Sequence, residues 1–314
     1  MNRSRGFGAK TTLVLSDTQA LLRPIQRNGG TGKALKPDMA GFLQETKAAP
    51  VYVTELGALF GGDALTILPC IAPESVDTVF ADPPFNLGKQ YGSSVNDRMS
   101  EHDYLDWCFR WIDECIRILK SGGAFFLYNL PKWNIRLANF LLERKMKFCD
   151  WIVVDIKLGL PIAGRLYPSH YSLLYFSKGK QKTFHRIRTP IQACRHCGGD
   201  IRDYGGHRNA LNPKGVNLTD VWDDISPVRH WKFKSKSRPA NALSTKLLDR
   251  VVEMSTDVGD IVLDPFAGSG TTFAVCEMKK RRWIGVEIES SDVIIERLKR
   301  NHLSHYNNED VVEP

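Results

Sequence analysis

No apolar run in the 314 residues approaches the roughly 20 residues that a membrane span requires, and no segment reads as a secretory leader. The expectation is a cytoplasmic protein without membrane partners. Cysteine is sparse and odd in number: the seven residues Cys70, Cys108, Cys115, Cys149, Cys194, Cys197 and Cys276 are scattered, which argues against a disulfide framework and for reduced thiols. There is no second CxxC beside Cys194 to Cys197, so tetrahedral zinc would need two further ligands. His185 and His207 are at hand, and Asp200 or Asp203 could substitute. A structural zinc and a pair of reduced thiols in a turn are both open. Gly29 to Lys33 lacks the frame of a phosphate loop, since Arg27 stands where its first glycine belongs and Ala34 where Ser or Thr belongs. Acidic residues are in deficit, 35 against 43 Lys and Arg, and the net charge of +8 favours a polyanionic partner.

Two stretches stand out against this background. Ile261 to Thr272 reads IVLDPFAGSGTT: apolar β-formers end in Asp264, a Gly-rich turn follows, and then residues suited to start a helix. That is the pattern of a buried parallel strand delivering the chain to a ligand at its carboxyl end. Gly268 and Gly270 permit a tight turn and a close approach by that ligand. A dinucleotide-binding loop would carry a third glycine where Phe273 stands. About 20 positions after the turn, Glu287 lies at the end of the next apolar strand, where an acidic residue can hydrogen-bond ribose hydroxyls. The other stretch is Val76 to Ala81, again apolar, followed by Asp82-Pro83-Pro84-Phe85. Two prolines in series suit neither a helix interior nor a central strand. They fix a rigid loop that holds a carboxylate, a carbonyl and an aromatic ring in one geometry.

Between and around these stretches, helical and strand signals alternate. The spacing predicts helices over 101–120, 133–145 and 271–278, strands over 124–128, 148–156, 171–176 and 283–288, and a mobile polar loop over 88–100. Such alternation is the mark of an α/β fold with a doubly wound, mostly parallel sheet. The chain divides into a basic, flexible extension (1–50), a catalytic half (51–180), an insertion (181–240), a cofactor half (241–302) and a polar tail (303–314). The extension carries eight Lys and Arg against three Asp and Glu. The insertion carries twelve against five, interleaved with Trp222, Trp231 and Phe233, a composition suited to nucleic-acid contact.

DPPF together with DPFAGSGTT resembles the signature of the amino-methyltransferases of DNA, and DPPF ahead of the cofactor strand resembles the order of their β group. The resemblance covers Val51 to Leu298, with 183–237 outside its well-marked parts. It implies a Rossmann-like methyltransferase fold, S-adenosylmethionine as cofactor, double-stranded DNA as partner and the insertion as target-recognition region. A cognate restriction endonuclease and a homodimer are further candidate partners. By resemblance Asp82, Pro83, Pro84 and Phe85 form the catalytic loop. The Asp82 carboxylate and the Pro83 carbonyl would accept the two protons of the target amine, and Phe85 would stack on a base flipped out of the helix. Asp63, Asp264, Pro265, Phe266, Gly268, Gly270, Thr271, Thr272 and Glu287 would form the cofactor site, with Asp63 serving the adenine amino group or merely capping a helix. Lys89, Tyr91, Arg165, His170, Lys232, Lys234 and Lys236 are candidates for DNA contact. DPPF followed by Asn86-Leu87 resembles the adenine-N6 enzymes more than the Ser-Pro-Pro form usual for cytosine N4. Adenine N6 is therefore the first expectation and cytosine N4 the second. The rivals are a silent DNA-binding protein of the same fold and an enzyme modifying protein or RNA amides.

Overall fold

The computed structural model describes residues 49–88, 90–91, 95–96, 98–155, 163–164, 166–190, 212, 214–225 and 242–299. Nine strands form its main sheet: β1 (Tyr52–Val53), β2 (Gly57–Gly61), β3 (Val76–Ala81), β4 (Leu119–Asn129), β5 (Lys147–Asp155), β6 (His170–Ser177), β7 (Val221–Trp222), β8 (Ile261–Asp264) and β9 (Arg282–Glu287). The helices are α1 (Ala64–Ile67), α2 (Glu101–Ile118), α3 (Pro131–Glu143), α4 (Thr245–Ser255), α5 (Thr271–Met278) and α6 (Asp292–Lys299).

Across the sheet the order is β1, β2, β9, β8, β3, β4, β6, β5, β7. The run from β2 to β4 is parallel, β6 is antiparallel to both its neighbours, and β1 is antiparallel to β2. Both faces are covered, as parallel strands require. Alternate residues of the central strands face opposite ways: Val79, Phe125 and Leu263 pack with α1, α2 and α3, while Phe80, Phe126 and Val262 pack with α4, α5 and α6. The α/β expectation holds.

Local chemistry explains the element ends. Ser100 caps α2, its side chain accepting from the Asp103 amide at 3.1 Å, and the apolar stripe from Tyr104 to Ile118 is buried at three- and four-residue spacing. The helix ends two residues before the predicted Lys120, and Ser121-Gly122-Gly123 belongs to β4. Gly122 has a φ of +80°, and a Cβ on Gly123 would lie 2.8 Å from the Asp77 carbonyl, so the glycines shape an irregularity in the β3–β4 pairing that a side chain would block. Pro131 occupies the first turn of α3, two residues ahead of the predicted start. Within the polar loop expected over 88–100, Gln90–Tyr91 pairs antiparallel with Val95–Asn96. No described helix is long and apolar enough to cross a membrane.

Candidate active site

The chain leaves β8 through α5 toward β9 on one side and leaves β3 through α2 toward β4 on the other. The edge between β8 and β3 is thus a topological switch point, where the carboxyl ends of an open α/β sheet leave a crevice. Val262 pairs with Thr78 and Leu263 with Val79, so Asp264 and Asp82 emerge side by side from adjacent strands. Gly61 pairs with Glu287, and the Gly62 amide donates to the Glu287 carbonyl at 2.8 Å, which brings Asp63 to the same edge. Asp63, Glu287, Asp264 and Asp82 therefore sit at successive strand ends, a row of about 15 Å at the usual inter-strand spacing.

Each carboxylate has a distinct setting. Asp264 is buried; its Oδ1 accepts from the Phe266 amide at 3.0 Å and its Oδ2 from the Thr272 hydroxyl at 2.6 Å. Burial pushes its pKa up to about 7, against the pull of those two hydrogen bonds and with the help of Glu287. Glu287 accepts from the Gly268 amide at 2.7 Å and the Glu289 amide at 2.9 Å, and burial raises its carboxyl too. Asp82 differs: among the described residues none donates a hydrogen bond to its carboxylate. Burial first, and the Asp264 charge second, hold it well above the usual carboxylate range. Asp63 is exposed and caps α1, its Oδ1 accepting from the Leu65 amide at 3.0 Å.

The two glycines of the Gly-rich turn have different surroundings. Gly268 has a φ of +53°, and a Cβ there would meet only the Phe266 carbonyl at 3.7 Å, which leaves open space above it. Gly270 has a φ of +73° and its Cβ would strike Ile294 at 2.7 Å, so it serves close helix packing. Thr271 accepts from Arg297 at 2.7 Å, and Phe266 packs edge-on to Trp111, with ring centroids 5.0 Å apart.

The Phe85 ring, three residues after Asp82, lies 5.5 Å from Tyr171 and 6.2 Å from Tyr128, so the loop carries an aromatic wall. His170 opens β6 next to Tyr171 and pairs with Asp155. Tyr91 lies in the small ribbon, while Lys89, Arg165, Lys232, Lys234 and Lys236 fall outside the described residues, as do Cys194, Cys197 and His207. His185 bonds Asp257 at 2.8 Å, and among the described residues no group of three or more His, Cys, Asp or Glu could hold a metal. Reading the sequence missed Tyr128 and Tyr171 as wall residues, because each also satisfies an ordinary strand pattern.

Residues 76–295 match a family described as DNA methylase (N6_N4_Mtase). Over 288 residues the chain is 57% identical to the type II methyltransferase M.BamHI of Bacillus amyloliquefaciens, covering 91% of this chain and 66% of that protein. It thus spans slightly less than two thirds of that relative. DNA adenine methyltransferase YhdJ of Escherichia coli (strain K12) is 31% identical over 266 residues, 83% of this chain and 88% of its own. Among solved structures, PvuII DNA methyltransferase (cytosine-N4-specific) aligns with a TM-score of 0.58 at 20% identity over 84% of this chain and 92% of that one, which shows a common fold.

Proposed function

The chain belongs to the N6/N4 DNA methylase family, and from that premise we propose that it methylates the exocyclic amino group of a base flipped out of duplex DNA, using the row of carboxylates for its cofactor and the DPPF loop for the base. The observation that carries this reading is the Asp82 carboxylate: free of any described donor, it stands beside the β8 turn with an aromatic wall next to it. S-adenosylmethionine fits the edge, because carboxylates suit a cation and ribose hydroxyls, and it would supply a methyl group whose departure leaves a neutral thioether. Glu287, held by backbone amides, keeps an acceptor site for a hydroxyl donor, and the space over Gly268 admits a ligand.

The protein's own part in the reaction is positioning and electrostatics. An exocyclic amine has its lone pair spread into the base ring. When its two protons bond to the Asp82 carboxylate and the Pro83 carbonyl, the lone pair returns to nitrogen as the new bond forms, an interaction strongest in the transition state. Phe85, flanked by Tyr128 and Tyr171, offers the flipped base a stacking surface.

For the base, adenine N6 is the first reading, supported by the DPPF form and by the adenine enzyme among the relatives. Cytosine N4 needs no change in the chemistry, and a fold shared with a cytosine-N4 enzyme accommodates either base. DNA incubated with protein and labelled cofactor, digested to nucleosides and resolved by mass spectrometry, separates them: N4-methylcytosine alone would move the assignment to cytosine. Asp82→Ala is expected to abolish transfer with cofactor affinity near normal; full activity in that variant would remove Asp82 from the mechanism. A cognate endonuclease belongs to the same reading, supported by the type II relative; host DNA protected from cleavage when this protein is present and cut when it is absent is its readout.

A further inference from the structure

The catalytic loop presents three successive carbonyls, from Pro83, Pro84 and Phe85, and the fold treats them differently. The Tyr104 hydroxyl, from the first turn of α2, donates to the Pro84 carbonyl at 2.7 Å. The Trp133 indole, from the start of α3, donates to the Phe85 carbonyl at 2.8 Å. Among the described residues no donor reaches the Pro83 carbonyl. Tyr104 itself accepts from the Asn129 amide at 3.0 Å, and Asn129, fully buried at the end of β4, is oriented by accepting from the Leu130 amide at 2.7 Å. Tyr104 is 1% exposed and Trp133 3%, with ring centroids 4.6 Å apart, so neither donor can swing away. The exit of the loop is held as well: Asn86, at a φ of 53°, donates to the Met99 carbonyl at 3.1 Å and accepts from the Met99 amide at 2.8 Å, just ahead of α2.

We infer that Tyr104 and Trp133 are positioning residues for methyl transfer: by taking the second and third of these carbonyls they leave the first, that of Pro83, open to the target amine. The inference rests on the proposed function and deepens it. Proline rings lock φ at both 83 and 84, so the diproline moves as one stiff piece, fixed at its near end by β3. Its far end is set by the two donors, and that orientation passes through the stiff piece to the Pro83 carbonyl. Buried Tyr and Trp need partners for their polar tips, and here the partners are the acceptors that would otherwise compete for the amine protons.

The test is Tyr104→Phe, which keeps the ring and deletes one hydroxyl, read by single-turnover methyl transfer at saturating DNA and cofactor and by cofactor affinity measured directly. The expected result is a rate loss of about tenfold or more with cofactor Kd within about twofold, since a misplaced acceptor weakens only the transition state. Trp133→Phe is expected to repeat the pattern. Thr78→Val is the control: it deletes a buried hydroxyl from β3 that bonds Ser255 and lies away from the loop. A rate in Tyr104→Phe equal to that of the unsubstituted protein, or an equal loss in Thr78→Val, overturns the inference while methyl transfer by the unsubstituted protein stands. If the unsubstituted protein transfers no methyl to DNA, the proposed function fails and this inference falls with it.

Discussion

Asp82 accepts the amine's hydrogen bond most strongly when ionised, and its carboxyl is held high by burial and by Asp264. Methyl transfer should therefore rise with pH as Asp82 loses its proton, and Asp82→Asn, which keeps an acceptor that does not titrate, should flatten that acid limb; an unchanged pH–rate profile in Asp82→Asn refutes the assignment. Asp264 gives a second pH effect, on stability. Its folded pKa of about 7 lies above the unfolded value, so the folded state binds the extra proton in between. Stability of the ligand-free protein should fall as pH rises from about 4 to about 7 and then level off. Asp264→Asn should lessen that fall, which thermal unfolding across the range would show. What was legible at this scale was the identity of the acidic row. Tyr104 was legible only as one apolar position on a helix. Its signal was chemical: a tyrosine where phenylalanine would pack as well implies a partner for its hydroxyl.

Elements carry the distinction between the two glycines of the cofactor turn. Gly270 starts α5 in a left-handed conformation with Ile294 against it, so Gly270→Ala should cost about 2–4 kcal/mol through backbone strain and overpacking together. Gly268 shares the backbone conformation but faces open space, so Gly268→Ala should cost only about 1 kcal/mol in stability. Its methyl group would project where the cofactor is proposed to lie, and cofactor affinity should fall more than stability does. Thermal midpoints and direct cofactor titration on both variants check the contrast; equal affinities in Gly268→Ala and the unsubstituted protein would remove that glycine from the site. Helix and strand signals in the sequence located six of the nine strands, because periodicity of burial is a local property; β7 escaped them, and its Trp222, read as part of an insertion suited to nucleic-acid contact, is buried in the main sheet. The Ser-Gly-Gly stretch misled, since glycine ends helices and also permits close strand approach, and only the neighbouring strand decides which.

At the scale of the whole molecule the positive charge gathers in the insertion, where Lys232, Lys234 and Lys236 lie within five residues. If they meet phosphates, replacing all three by Ala should weaken binding to any duplex and reduce the salt slope of log K by up to about 3. An unchanged slope would place the DNA contacts elsewhere. The sheet order could not be read from local pattern at all, because β8 and β3 are neighbours contributed by segments far apart in the chain.

That order also governs how the protein is made. The two strands between β2 and β3 are β9 and β8, which come from the last quarter of the sequence. A nascent chain can therefore form the β3 to β6 hairpin side early, while facing edges of β2 and β3 wait unpaired until translation reaches Ile261. Polypeptides interrupted before that residue would expose two hydrophobic strand borders and depend on chaperones to stay dispersed.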